Sequence, residues 1–212
     1  MLLNNQILLI GYGGHGFVAA DILLLQQYHL FGYCDKEQKE KNPFNLKYCG
    51  VEDEFISSKI FKEINLQIFI SIGNNSIREK IFNSIASPQI INAIHPKSVI
   101  SKTVEIGNGV LIAANVSINP LAIIGNGVIC NTASVIDHEC VVEDFAHIAP
   151  GAVLCGNVSI EKNCFIGANT VVKEGVSICS NTVVGAGSVV VKNITEPGLY
   201  FGSPAKKHLP NF

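Results

Sequence analysis

Two histidines interrupt a long apolar stretch of this sequence. They lie in Ser134-Val135-Ile136-Asp137-His138-Glu139-Cys140 and in Phe145-Ala146-His147-Ile148. An imidazole titrates near neutrality, so His138 is a candidate general base, and Glu139 beside it can orient the ring. Neighbouring strand residues point to opposite faces, so that pairing requires a bend at positions 138–139. A second set of chemistry-bearing residues lies near the start. Gly11-Tyr12-Gly13-Gly14-His15-Gly16 follows an apolar run at 6–10, Asp35 follows one at 30–34, and Gly73-Asn74-Asn75-Ser76 follows one at 66–72. Gly13 and Gly14 let a backbone approach a diphosphate closely, and helix N-termini beyond such loops favour phosphate. Asp35 can accept hydrogen bonds from a ribose or a base. The plain alternatives are a solvated surface histidine and glycines that serve only tight turns.

The elements that position these residues are legible from two periods. From Ile94 to Val190, each of 17 positions at six-residue steps is Ile, Val, Leu or, once, Cys130. Two residues before each, from Val104 to Ser188, stands a small or β-branched residue, and Gly or Asn dominates three residues after. Side chains at i and i−2 share one face of a strand, and Gly and Asn suit corners. Three hexads therefore close one triangular coil, and an α-helix cannot keep that register. Residues 1–93 instead alternate apolar runs with helical patterns, as in a small parallel α/β domain. The expected strands are 6–10, 30–34, 66–72 and 90–94. The expected helices are 17–26, 52–62 and 77–86, the last capped by Asn75 or Ser76. The domains expected are thus 1–93, a small parallel α/β domain, and 94–212, a triangular parallel β-coil with a C-terminal tail.

Spacing then constrains the chemistry. His147 follows His138 by one and a half hexads, half a coil, so the two project from opposite sides of one prism. A site that uses both lies between subunits, and packing three prisms around an axis predicts a homotrimer. Gly156 follows His138 by three full hexads, so it stacks on it one coil later. It leaves room for a ligand and exposes an N–H as a candidate oxyanion donor. Gly11-x-Gly13-x-x-Gly16 also fits a dinucleotide fingerprint, but residues 1–93 hold little more than one mononucleotide half, so one nucleotide is favoured over NAD.

Composition narrows the partners. The chain has 212 residues, 48% hydrophobic and 15% charged, with a formal charge of −2. That supports a packed core, and the lack of a basic stripe argues against nucleic acid. No apolar run reaches membrane-spanning length, so the expectation is a soluble, cytoplasmic protein with no membrane partner. The seven cysteines fall in no zinc spacing and are read as free thiols, five of them within the repeat. No metal is expected.

The hexad run, the His138-Glu139 and His147 contexts and the Gly202-Ser203-Pro204-Ala205-Lys206 ending resemble the hexapeptide-repeat acyltransferases. Gly-x-Gly-Gly-His-Gly and Ile-Gly73-Asn74-Asn75-x-x-Arg78 make the chain similar to bacterial UDP-4-amino-sugar N-acetyltransferases, grouped with the sialic acid O-acetyltransferase (NeuD) family. That resemblance implies that residues 1–93 form a small Rossmann-like UDP-sugar-binding domain and 94–212 a left-handed parallel β-helix, and that acetyl passes from acetyl-CoA, as co-substrate, to the amine of a UDP-amino sugar for surface glycan synthesis. It implies His138 as catalytic base with Glu139 as its supporting neighbour, and sugar-nucleotide contacts from Gly13, Gly14, His15, Asp35, Lys36, Gly73 and Asn131. It implies acetyl-CoA contacts from His147, Gly156, Ala168 and Ala186. Some relatives carry a second acid at the place of Lys36 and a glycine at that of Ala186. O-acetylation of a sialic acid or related sugar, a zinc hydratase on the same scaffold and a non-enzymatic nucleotide-sugar-sensing scaffold are the other readings.

Overall fold

The computed structural model describes residues 6–57, 66–85 and 89–208. The N-terminal lobe holds three parallel strands, β1 (Gln6–Ile10), β2 (His29–Cys34) and β3 (Gln67–Ile70), in the order β2-β1-β3. The strands are short apolar runs, and Ile7, Leu8, Leu9, Ile10, Ile68 and Phe69 are all buried. Helix α1 (Gly14–Leu25) joins β1 to β2, and helix α3 (Asn75–Ser84) follows β3. Between them lies the short helix α2 (Glu52–Ser57). The chain reverses its direction of travel across the sheet at β1, so the end of β1 is the topological switch point, where such sheets bind ligands.

Several element boundaries differ from the sequence expectation. Helix α1 begins at Gly14, so the glycine loop is its N-cap and first turn, not a separate loop. Asn74 caps α3: its side chain accepts from Ile77 N–H at 3.0 Å. Neither residue expected as cap, Asn75 or Ser76, fills that place; Asn75 turns toward the coil, where its Nδ2 donates to the carbonyls of Asn163 and Cys164. The expected fourth strand is divided. Ile90 makes one parallel bridge to Ile68, and Ala93–Ile94 already belongs to the coil. The expected helix at 52–62 is described only as far as Ser57, since residues 58–65 lie outside the described part.

The rest of the chain is a parallel β-helix of two-residue strands, β4 (Ala93–Ile94) to β20 (Val189–Val190). Each strand pairs with the one a full coil later, as Ile129 and Cys130 pair with His147 and Ile148. Three flat faces result, and a hairpin of β21 (Leu199–Gly202) and β22 (Ala205–Lys207) extends one of them. Both inner registers are buried: from Val110 to Ile178 every member is at most 4% exposed. Several of their polar or thiol members close hydrogen bonds within the coil. Thr170 Oγ1 donates to Gly185 O, and Cys140 and Cys164 donate to the carbonyls of Cys155 and Cys179. All seven cysteines are free, and burial pushes the Cys130 and Cys164 thiols up to about 12.

The corners follow the same count. From Gly109 to Gly187, every sixth residue has a positive φ. Ten of those fourteen are Gly or Asn; the others are Leu121, Ala133, Glu139 and Phe145. A left-handed conformation costs a residue with a Cβ roughly 1–2 kcal/mol, so these four are held there by something other than local preference.

Because each inner aliphatic stacks between its neighbours one coil away, truncation opens a cavity that a rigid prism does not collapse. Leu154→Ala is expected to cost about 2–5 kcal/mol, read as a fall in the chemical-denaturation midpoint at unchanged slope.

Candidate active site

His138 and Glu139 stand at one corner of the coil and His147 on the opposite face. The corner is held from both sides along the coil. Asp137 accepts from Asn119 Nδ2 and from His138 N–H, Glu139 N–H donates to Pro120 O, and Asn157 N–H donates to His138 O. The hydrogen bonds from Asn119 and then from His138 N–H hold the Asp137 carboxyl below the usual carboxylate range. Glu139 has φ +60°, and this bend lets its carboxylate reach the neighbouring ring: His138 Nδ1 lies 3.0 Å from Glu139 Oε2. The contact leaves Nε2 free to act. The ring is exposed, as a base that meets a substrate must be.

Gly156 does stack on this residue, with a different consequence from the one expected. A Cβ there would lie 2.5 Å from His138 Cε1 and 2.7 Å from Nε2. The space that glycine leaves is filled by the imidazole itself, not by a ligand. Gly156 therefore sets the ring's position. Its N–H meets no backbone acceptor among the described residues and stays available as a donor beside the base.

The second cluster lies at the ends of β1, β2 and β3. A cleft of about 310 Å³ is lined by Gly11, Gly13, Gly14, His15, Asp35, Lys36, Glu52, Ser71, Ile72, Gly73 and Ile77. Its glycines divide by role. Gly11 has φ +91°, and a Cβ on Gly16 would lie 2.6 Å from Gly11 O, so these two serve the turn and the close packing of helix on strand. Gly13 and Gly14 have no heavy atom within 4 Å of such a Cβ and face open space, where a ligand can meet the helix N-terminus. Asp35 is more occupied than expected. It accepts from Tyr12 N–H (2.8 Å) and from Lys36 N–H (2.7 Å), and it pairs with Lys39 Nζ at 3.1 Å. It braces the glycine loop against the end of β2, and its remaining lone pairs face the cleft. Lys36 is exposed, and Gly73 O accepts from Arg78.

His15 does not present a cation to a phosphate. Its ring turns toward the coil, 5.8 Å from that of His147, and burial, aided by the Arg78 charge, lowers it to about 4. His147 is only 7% exposed, and burial followed by the charges of His15 and Arg78 lowers it to about 3. Both rings are therefore neutral at pH 7. His147 Nε2 is 3.2 Å from Asn131 Nδ2, and the Gly73 backbone acts on the same ring; among the described residues, His147 Nδ1 and His15 Nε2 are buried with no partner at full hydrogen-bond geometry. His147 does project from the face opposite His138, and the chain's own lobe covers that face. Ala168 and Ala186 lie half-buried and exposed at another corner, where their small side chains leave a shallow surface. The sequence reading assigned no role to Asp137 or Phe145 and left Arg78 as a motif letter. The Asp137-His138 order and the positive-φ phase of Phe145 were the available signals.

These two clusters on a coil with a small α/β lobe define a hexapeptide-repeat acyltransferase. Residues 6–85 match the PglD N-terminal domain family, and residues 157–192 match the hexapeptide repeat of succinyl-transferase family. The chain is 31% identical to a histidine variant of perosamine N-acetyltransferase from Caulobacter crescentus, solved with CoA and GDP-perosamine; the TM-score is 0.91 and 98% of each chain is covered. The acetyltransferase domain of PglB from Neisseria gonorrhoeae FA1090, solved with acetyl coenzyme A, is 28% identical with a TM-score of 0.88, over 97% of this chain and 100% of that one. Among curated proteins, the GDP-perosamine N-acetyltransferase of Escherichia coli O157:H7 is 34% identical over 96 residues, 44% of this chain. That aligned stretch spans 43% of the curated relative, less than half its length. The chain belongs to the PglD-like family of hexapeptide-repeat sugar N-acetyltransferases, and its coil is the left-handed β-helix of that fold.

Two substitutions separate position from chemistry at the corner. Glu139→Asn relieves a left-handed residue of its strain and gives up only an exposed hydrogen bond to His138, so stability should rise by about 1 kcal/mol while turnover falls. Thermal melts and initial rates on one preparation check both signs. Gly156→Ala has an ordinary φ and should fold normally, yet its Cβ displaces the His138 ring, and turnover should drop at least about tenfold.

Proposed function

We propose that this protein moves the acetyl group of acetyl-CoA to the 4-amino group of a UDP-linked amino sugar used in surface glycans. The observation that carries the reading is the His138–Glu139 pair, held at a pinned, solvent-facing corner with Gly156 making room for the ring. The uncharged amine adds to the thioester carbon, a C–N bond forms, and the carbonyl electrons move to oxygen. The Gly156 N–H is placed to donate to that oxyanion. His138 Nε2 takes the proton that the nitrogen sheds, Glu139 holding Nδ1–H. The C–S bond then breaks and the thiolate leaves.

The cleft at the ends of β1, β2 and β3 binds the nucleotide, with Gly13, Gly14 and the N-terminus of α1 toward the diphosphate. Asp35, Lys36 and Gly73 line the ribose and base side, and Asn131 meets the sugar. His147, Gly156, Ala168 and Ala186 line the path of acetyl-CoA. Uracil as the base rests on the motif resemblance. Guanine is the competing reading, favoured by the Caulobacter relative with GDP-perosamine bound. An amine acceptor rather than a hydroxyl fits the relatives, which are named N-acetyltransferases.

The working unit is a homotrimer. The corner that carries His138 lies opposite the face that carries His147 and the chain's own lobe, so one prism cannot bring base and cleft together. A neighbour's His138 must supply the base. Val99 (70% exposed), Leu121 (59%) and Ile123 (43%) leave apolar surface on the coil for such packing.

The test is acetyl transfer with UDP- and GDP-linked 4-amino sugars run side by side. His138→Ala should lose about 10²–10⁴-fold in single-turnover rate and keep its affinity for the nucleotide sugar. Light scattering should give three times 22.8 kDa. Co-assembling His138→Ala chains with chains inactivated at the cleft should restore part of the rate. A fully active monomer overturns the shared site, and a His138→Ala variant at parental rate removes the base.

A further inference from the structure

Arg78 lies in the first turns of α3 and is 1% exposed. A guanidinium has five N–H bonds, and five acceptors meet them here. Nε donates to Gly127 O at 2.7 Å, and Nη1 donates to Ile72 O at 2.9 Å and Gly73 O at 3.2 Å. Nη2 donates to Asn75 Oδ1 at 2.9 Å and Phe145 O at 2.8 Å. Two acceptors belong to the loop after β3 that lines the nucleotide cleft, and one belongs to α3. Two belong to corners of the coil stacked one full turn apart. None is a carboxylate.

As glue between two bodies this is a poor choice. A buried charge without a counter-charge is costly, and apolar side chains of equal volume hold surfaces together as well or better. What apolar contact does not supply is direction. The planar fork fixes both distance and orientation of what it binds, to within hydrogen-bond tolerance. Phe145 supports this. It adopts φ +59° at its corner, packs its ring edge-on to Phe82 of α3 at 5.3 Å, and thereby presents its carbonyl to Nη2. Nearby, Asn75 Nδ2 bonds the carbonyls of Asn163 and Cys164, and Glu79 pairs with Lys162 and Asn163. Those are the outer contacts of the same seam.

We propose that Arg78 is a positioning residue for acyl transfer: it sets the Gly73 loop, and with it the bound acceptor, at one fixed place on the coil. This rests on the acetyl-transfer reading above. A second effect follows from where the cation lies. His15 and His147 share its neighbourhood, and the groups facing them are each other, Arg78 from α3, and Asn131 and Phe165 from the coil. No carboxylate faces either ring among the described residues. The fixed positive charge adds to burial in keeping both rings un-ionised, so an arriving amine meets no imidazolium beside the cleft.

The experiment pairs Arg78→Lys, which keeps charge and loses the fork, with Arg78→Gln, which loses the charge. In folded Arg78→Lys protein, kcat should fall about ten- to hundredfold, the range expected for a misplacement near 1 Å. Parental kcat in that variant overturns the positioning role. Ring ¹⁵N titration reads the field without activity. His15 and His147 should take up protons at higher pH in Arg78→Gln than in the parent, and by less in Arg78→Lys. Equal rises in both variants mean water entry and overturn the field effect. If neither variant folds, Asn75→Ala, which removes one acceptor and two seam contacts, should lower kcat by a smaller factor, and no change overturns the proposal. A parent enzyme that transfers no acetyl group refutes the functional reading and with it the positioning role, while the ring titration still decides the field effect of Arg78.

Discussion

Every side chain that points into the coil must fit between its counterparts one turn before and one turn after, because the strands pair in strict parallel register with no slip. That constraint fixes a three-sided prism, and the prism fixes almost everything else. A residue's place in the three-hexad count decides which face or corner it occupies. His147 stacks between Ile129 and Phe165 because of it, and Gly156 lies over His138 because of it. A one-residue slip in a strand would turn an inner aliphatic outward, so the register is enforced by burial at every level of the stack. The small size of the inner i−2 residues, Ala122, Ala146 and Ala152 among them, lets three faces meet at an axis with no void.

Rigid corners suit the chemistry carried there. A side chain on a mobile loop spends its time in many orientations, whereas the His138 corner is braced by Asp137, Glu139, Pro120 and Asn157 through hydrogen bonds. The brace has a local cost at Glu139, which takes a left-handed backbone that ten of the fourteen corners assign to Gly or Asn. Strain at a residue whose carboxylate touches the base is better explained by chemistry than by folding. The lobe works by a different principle. It places open glycines at a helix N-terminus, buries its own His15 against the coil's His147 so that both rings are held neutral, and keeps the Arg78 cation below the surface.

The fold was legible because both of its periods are enforced by burial. The six-residue register from Ile94 to Val190 maps onto the inner face, and the apolar runs 6–10 and 30–34 fall on β1 and β2. The bend at His138–Glu139 and the stacking of Gly156 follow from the same count. What burial does not encode was read less well. The expected start of α1 was three residues late because nothing in Gly14-His15-Gly16 announces a helix, and tertiary packing on the strand makes one. The cap of α3 is expected at Asn75 or Ser76 and lies at Asn74, because Asn and Ser cap equally well by type and the contact of Asn75 with Asn163 and Cys164 takes that side chain elsewhere. Gly156 was read as ligand space because the sequence shows the gap but not that the His138 ring fills it. The direction of the His15 ring and the burial of His147 depend on how lobe and coil pack, which no single-chain period specifies.

A three-sided section has one further consequence. Any residue on a face has one corner opposite to it, and the lobe occupies the face that carries His147 through α1 and through the Arg78 seam. The corner left furthest from the lobe is the one with His138. A chain working alone would therefore hold its nucleotide cleft and His138 on opposite sides of a prism whose inner registers are buried. The separation is useful if chains assemble side by side. Each prism then offers its base to the cleft of the next, and a threefold ring closes the arrangement with every site complete and no cleft or base left over. In the trimer proposed above, an incomplete assembly would hold a nucleotide sugar with no base beside it, and activity would then follow assembly.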